Sequence, residues 1–152
     1  MLIKEIWRSR LTIVMGLLLT CVLGIQAQDN KLSIEDFTVV PGEENVVEVV
    51  LTNAEAVSSL QFDMYLPNGL EYVDESLEKV TSRISNTSHT VRKTTNGSAI
   101  RIGIFERIVD AATSGIKGNE GAILKFKVRA AASFKSGEIY LNNIVGSNTQ
   151  GE

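Results

Sequence analysis

The sequence is short of the side chains that most site chemistry needs. Its 152 residues include one histidine, one cysteine, one tryptophan and two prolines. A lone cysteine, Cys21, excludes an intramolecular disulfide, so the core alone must hold the fold. One histidine, His89, and no second thiol leave nothing for a zinc site. No Ser-His-acid spacing is present either, and His89 beside an isoleucine-rich strand reads as a structural strand-end residue. An enzyme is not expected, and no cofactor or metal is expected. Aromatics make up only 6% of the chain. Trp7 lies in the leader, which leaves Tyr65, Tyr72 and Tyr140 as the remaining polar aromatics for sugar stacking. Long helical periods are missing too.

The longest apolar run, Leu11 to Ile25, is short for a bilayer span, which needs roughly 20 apolar residues. Lys4, Arg8 and Arg10 precede it, and Gln26-Ala27-Gln28-Asp29 follows it. A basic start, an apolar centre and a small residue before a polar segment form a secretory signal peptide, residues 1–27, cleaved after Ala27. Lipidation at Cys21 is the weaker reading. Thr20 is a poor residue before a lipidated cysteine, and Val22-Leu23-Gly24-Ile25 stays apolar where a lipoprotein turns polar. The chain carries formal net charge −3. The leader holds three basic residues against one acidic, so residues 28–152 stand at −5. An acidic domain of this kind argues against nucleic acid as a partner.

Residues 28–152 read as a single domain of many short strands. Leu32–Val39 is a first strand with imperfect alternation. Pro41-Gly42-Glu43-Glu44-Asn45 is a turn. Val46–Thr52, rich in β-branched residues and apolar on nearly both faces, reads as a central strand. Leu60, Phe62, Met64 and Leu66 then alternate with Ser59, Gln61, Asp63 and Tyr65, so one face is buried and the other presented. Pro67-Asn68-Gly69 ends that strand. Asp74–Lys79 is a helical turn or a loop with a short strand; its acids lack the spacing of a calcium loop. Arg83–Thr87 reads as an exposed connection.

Asn96-Gly97 predicts a two-residue hairpin turn. The register that follows sets Lys93 opposite Ile100, Val91 opposite Ile102 and His89 opposite Ile104. Arg92 then faces Arg101 on the outer side, a like-charge pair that needs a nearby acid or water. A loop follows from Glu106 to Ser114, with a helical turn open at Ile108–Ala112. Gly115, Gly118 and Gly121 resemble a phosphate loop only in glycine content, because the Gly-Lys-Ser/Thr ending is absent. Leu124, Phe126 and Val128 point inward; Lys125, Lys127 and Arg129 form an outward basic row, a solvated face or a charge-guarded edge. Ala130–Gly137 connects to Glu138–Val145, the last strand or strands. The fold class expected is all-β, an antiparallel β-sandwich, with a jelly-roll order among the orders the pattern allows.

Four pieces then resemble a cohesin domain, of the carbohydrate-binding-domain-like β-sandwich superfamily. They are Val46-Val47-Glu48-Val49; Leu60-Gln61-Phe62-Asp63-Met64 running into Pro67-Asn68-Gly69-Leu70; Gly118-Asn119-Glu120-Gly121-Ala122-Ile123-Leu124-Lys125-Phe126-Lys127-Val128; and Ile139-Tyr140-Leu141-Asn142-Asn143-Ile144-Val145. The resemblance implies a non-catalytic, secreted or cell-surface module of Bacteroides-type bacteria. Such a module docks a dockerin-like protein through one flat sheet face, in polysaccharide-degrading or surface assemblies. It also implies the alternatives of a glycan-binding module of the same fold and of a structural or adhesive surface domain. The partner-binding residues carried over are Ser59, Gln61 and Asp63. The Asn and Asp that contact the partner in well-studied cohesins fall near Ser59 and Gln61, so those identities are not kept. The row is short-chained and nearly uncharged on its strand, as an interface centre tends to be.

Overall fold

The structure, a computed structural model, describes residues 30–107 and 115–148. The expected signal peptide, its cleavage point and the helical turn at 108–112 lie outside those residues. Nine strands occur in order among the described residues: β1 (Lys31–Ile34), β2 (Glu44–Thr52), β3 (Val57–Tyr65), β4 (Leu70–Tyr72), β5 (Glu78–Lys79), β6 (His89–Asn96), β7 (Ala99–Glu106), β8 (Ala122–Ala130) and β9 (Tyr140–Asn148). No helix is present among the described residues. One sheet has the order β1-β2-β8-β4, with β5 also on β8; the other has β6-β7-β3-β9. Every pairing is antiparallel. The chain changes sheet at β2→β3, β3→β4, β5→β6, β7→β8 and β8→β9, a jelly-roll-like course through an all-β sandwich.

The core lies between the sheets and follows strand alternation. Val47, Val49 and Leu51 of β2, Leu60, Phe62 and Met64 of β3, Ile102 and Ile104 of β7, and Leu124, Phe126 and Val128 of β8 are all buried. Phe126 also stacks on Tyr72, with ring centroids 5.8 Å apart. The inward faces assigned to β3, β7 and β8 therefore hold.

Several expectations are corrected. β1 ends at Ile34, so 35–39 is not strand. β2 is interior as expected, but only one of its faces is buried: Val46 remains 54% exposed. Asp74–Lys79 takes the second of its two expected readings, a loop with a short strand of two residues. The basic row of β8 sits on a central strand rather than an edge, with β2 on one side and β4 and β5 on the other. Its cations are matched across the ladder: Lys125 to Glu48 at 2.7 Å, and Lys127 and Arg129 to Glu44 at 3.1 and 2.8 Å.

The hairpin keeps its faces but shifts its pairing. Asn96 pairs with Ala99, so Gly97-Ser98 is the two-residue turn. Gly97 takes φ +63 at the first central position while Ser98 stays in the ordinary range, the combination of a type II′ turn. Lys93 then faces Ile102, Val91 faces Ile104 and His89 faces Glu106. Arg92 lies opposite Gly103 and Arg101 opposite Thr94, so the two arginines are not paired.

Arg83 is the largest departure. Expected in an exposed connection, it is 7% exposed, and Ile84 beside it is fully buried. Its guanidinium donates to the backbone carbonyls of Lys117, Leu51 (3.0 Å), Gly121 (2.9 Å) and Gly118 (3.4 Å) and to Asn53 Oδ1 (2.7 Å). Burial holds its pKa below the usual arginine value, with Glu120 opposing. The glycine-rich segment therefore encloses an internal cation and cradles no anion.

Candidate docking face

The outward side of β6-β7-β3-β9 is built around β3. Ser59 lies between Phe105 and Ser147, Gln61 between Gly103 and Val145, and Asp63 between Arg101 and Asn142. Tyr65 lies opposite Tyr140 at the far end. Alternation alone places these residues outward, because their neighbours Leu60, Phe62 and Met64 occupy the core. Two of the three expected site residues are accessible: Ser59 and Gln61 are half-buried in the middle of the sheet.

Asp63 is not accessible. It is on the expected face but only 1% exposed. Arg101 covers it with a two-pronged bond, Nε to Oδ1 at 2.7 Å and an Nη2 to Oδ2 at 2.8 Å. Asn143 adds a bond from Nδ2 to Oδ2 at 2.9 Å. Those hydrogen bonds from Arg101 and Asn143, which ionisation strengthens, hold the carboxyl down at about 2, against the cost of burial. Arg101 is raised in turn, first by its hydrogen bond to Asp63. Asp63 thus organises the face from beneath. Asn143 reaches it because the β3–β9 register slips between Gln61 and Asp63, and Asn143 sits at φ +50 in that bulge.

Residues missed in the sequence supply the apolar surface. Phe105, Val145 and Tyr140 are 44%, 62% and 59% exposed. The Phe105 ring folds over Gly103, where a Cβ would come within 2.5 Å of the ring. Glycine therefore lets the ring lie flat against the sheet. Ser59, Gln61, Phe105, Val145 and Ser147 border a shallow depression of about 220 Å³. The signal for Phe105 was present: it is the outward residue after Arg101 and Gly103, opposite in parity to the isoleucines.

His89 offers no chemistry to this face. It is fully buried at the start of β6, with Nδ1 2.8 Å from Ser88 Oγ. Burial pushes its pKa down; Glu106 and the Ser58 backbone oppose that, and Lys79 adds to it. No cluster of three His, Cys, Asp or Glu side chains that could hold a metal occurs among the described residues.

No protein-family model matches the sequence, and no curated protein matches it. Solved structures do. A non-cellulosomal cohesin from the archaeon Archaeoglobus fulgidus is 25% identical, covering 73% of this chain and 72% of its own, with TM-score 0.55. The domain has the cohesin fold. A type I cohesin–dockerin complex from Clostridium thermocellum aligns over 82% of this chain and 90% of its own, at 13% identity and TM-score 0.65. A type II cohesin from Bacteroides cellulosolvens aligns over 81% and 88%, at 12% identity and TM-score 0.61. The cohesin likeness therefore spans most of the chain.

Proposed function

We propose that this cohesin-fold domain is a non-catalytic docking module that binds a dockerin-like protein through the outward side of β6-β7-β3-β9. The observation that carries the reading is the composition of that face. Its centre is flat, uncharged and half-buried at Ser59 and Gln61, with Phe105 and Val145 exposed beside it. Interface centres lose charge and gain aromatics in this way. Flat, short side chains also have little conformational freedom to lose on docking. The opposite sheet presents a ladder of satisfied ion pairs instead. Neighbouring cohesin folds that have been solved with dockerins support the choice of partner class.

A glycan site is less well supported. Phe105 is level with Ser59 and Tyr140 with Tyr65, which separates the two most exposed rings by about 20 Å along β3. That spacing gives no continuous stacking platform for adjacent pyranoses. The basic start and apolar run that precede Ala27 support a secreted or cell-surface location. N-terminal sequencing of exported protein beginning at Gln28 would agree with that location, and an acylated Cys21 would replace it with a lipid anchor.

The docking reading is tested by calorimetric titration of residues 28–152 with a panel of type I and type II dockerin domains. Saturable binding by at least one of them is expected. No binding across the panel would count against the dockerin class of partner.

A further inference from the structure

The charge on the docking face differs in sign from the charge of the chain. Along β6 and β7 the outward positions include Arg92, Arg101 and, just past the strand, Arg107. Arg107 Nε donates to Thr90 Oγ1 at 2.7 Å, which lays its guanidinium across the outward side of β6. Among the described residues, Asp63 is the one carboxylate in the outward rows of the four strands, and Arg101 has already neutralised it. No carboxylate of the described residues pairs with Arg92 or Arg107, and both are exposed. Among the described residues, this half of the face thus holds two cations with no carboxylate partner, on a chain of net charge −3. Charge of the other sign is spread elsewhere, and on the opposite sheet Lys125, Lys127 and Arg129 each meet a glutamate.

We infer that the partner of this face presents an acidic surface flanking one apolar anchor. The inference rests on the docking reading above and specifies the partner's chemistry. Arginine presents a planar fork that matches a carboxylate with two parallel hydrogen bonds. The apolar anchor fits the depression bounded by Phe105, Val145, Ser59 and Gln61. The two features lie side by side: Phe105 is directly opposite Thr90, two residues from Arg92 on β6. Repulsion between two acidic molecules is screened beyond about 8 Å at physiological salt, so the local match decides docking.

The test uses two helical peptides that share one central leucine and differ only in their flanking residues, glutamate in one and lysine in the other. Each is titrated into isotopically labelled domain and followed by NMR. The glutamate peptide is expected to shift the amides of Ser59, Gln61, Phe105 and Val145. Its affinity should fall at least about tenfold between about 20 and about 300 mM salt. Arg92→Glu with Arg107→Glu should weaken it by a similar factor, whereas Lys31→Glu with Lys135→Glu, an equal change of net charge away from the face, should not. The inference is overturned if the lysine peptide binds this face as well as the glutamate peptide. It is also overturned if neither binds, or if a single-stranded oligonucleotide binds the face more tightly than the glutamate peptide. A dockerin that docks on this face yet is indifferent to salt and to the Arg92 and Arg107 reversals would sink the charge inference alone. A dockerin that docks elsewhere would sink the face, and both readings with it.

Discussion

Replacing Arg83 with methionine removes the internal cation while keeping most of the side chain's length. Five acceptors lose a donor, and two of those bonds, to the Leu51 carbonyl and to Asn53 Oδ1, are fully buried. A buried acceptor that cannot recover a partner costs about 1–3 kcal/mol. Two such losses give about 2–6 kcal/mol, and part of that is offset because the guanidinium itself no longer has to be desolvated. The net expectation is a loss of about 3 kcal/mol, a large share of the ~5–15 kcal/mol that holds a domain together. In urea, with a slope of about 1–3 kcal/mol per molar, the unfolding midpoint should drop by roughly 1–3 M. Arg83→Lys should recover only a minor part, because one ammonium cannot span acceptors arranged around a planar fork. Chemical denaturation followed by circular dichroism reads both variants. A midpoint unchanged in Arg83→Met would refute the structural role given to this cage.

Phe62→Ala and Phe126→Ala should each cost about 3–5 kcal/mol, since both rings are buried between the sheets and leave a cavity there; denaturant midpoints check this. Stability should also fall in two pH windows. Asp63 has a folded pKa of about 2, below its ordinary value of 3.8, so the unfolded chain takes the proton first. Its contribution is complete above pH 4 and is lost as the pH falls towards 2, and Asp63→Asn should flatten that limb of a stability-versus-pH curve. His89 is likewise shifted below its usual 6.5, so stability should begin to decline as the pH falls through 6.5, and His89→Gln should remove that component.

The sandwich was legible wherever one face of a strand is buried and the other is not. Leu60–Tyr65 of β3 and Leu124–Arg129 of β8 alternate strictly in sequence, so Phe62 and Phe126 could be placed inward without knowing any strand's neighbour. Pairing between distant strands was less accessible. Asp63 reads as a presented acid because nothing in its own strand says that Arg101, 38 residues later, will lie beside it. The hairpin shows the same limit at short range. Asn96-Gly97 and Gly97-Ser98 are both competent turns, and choosing one over the other moves the register by two residues. A shift of two preserves every face, so the isoleucines stayed inward while Arg92 lost Arg101 as its neighbour. Arg83 was hidden for a different reason. A polar residue in a polar stretch reads as exposed, and its burial depends on the glycine-rich segment 115–121 folding back over it. On the proposed docking face, the outward position of Ser59 and Gln61 follows from alternation, whereas the placing of Phe105, Val145 and Asn143 beside them required the β7 and β9 pairings.

The docking face is tested most directly by Gln61→Glu, a change of charge with almost no change of shape at the centre of the sheet. Gln61 is outward and half-buried, so the folded domain should retain its circular dichroism spectrum and its unfolding midpoint. In a complex, the new carboxylate would be enclosed beside Val145 and would compete with the partner for Arg92, which lies in the same row across the bare Gly103. Calorimetric titration with a dockerin that binds the wild type should then show a loss of at least about 2 kcal/mol, some thirtyfold in Kd. Unchanged affinity with both proteins folded would contradict the account and place the binding surface elsewhere, with the outward side of Lys125, Lys127 and Arg129 the next to examine.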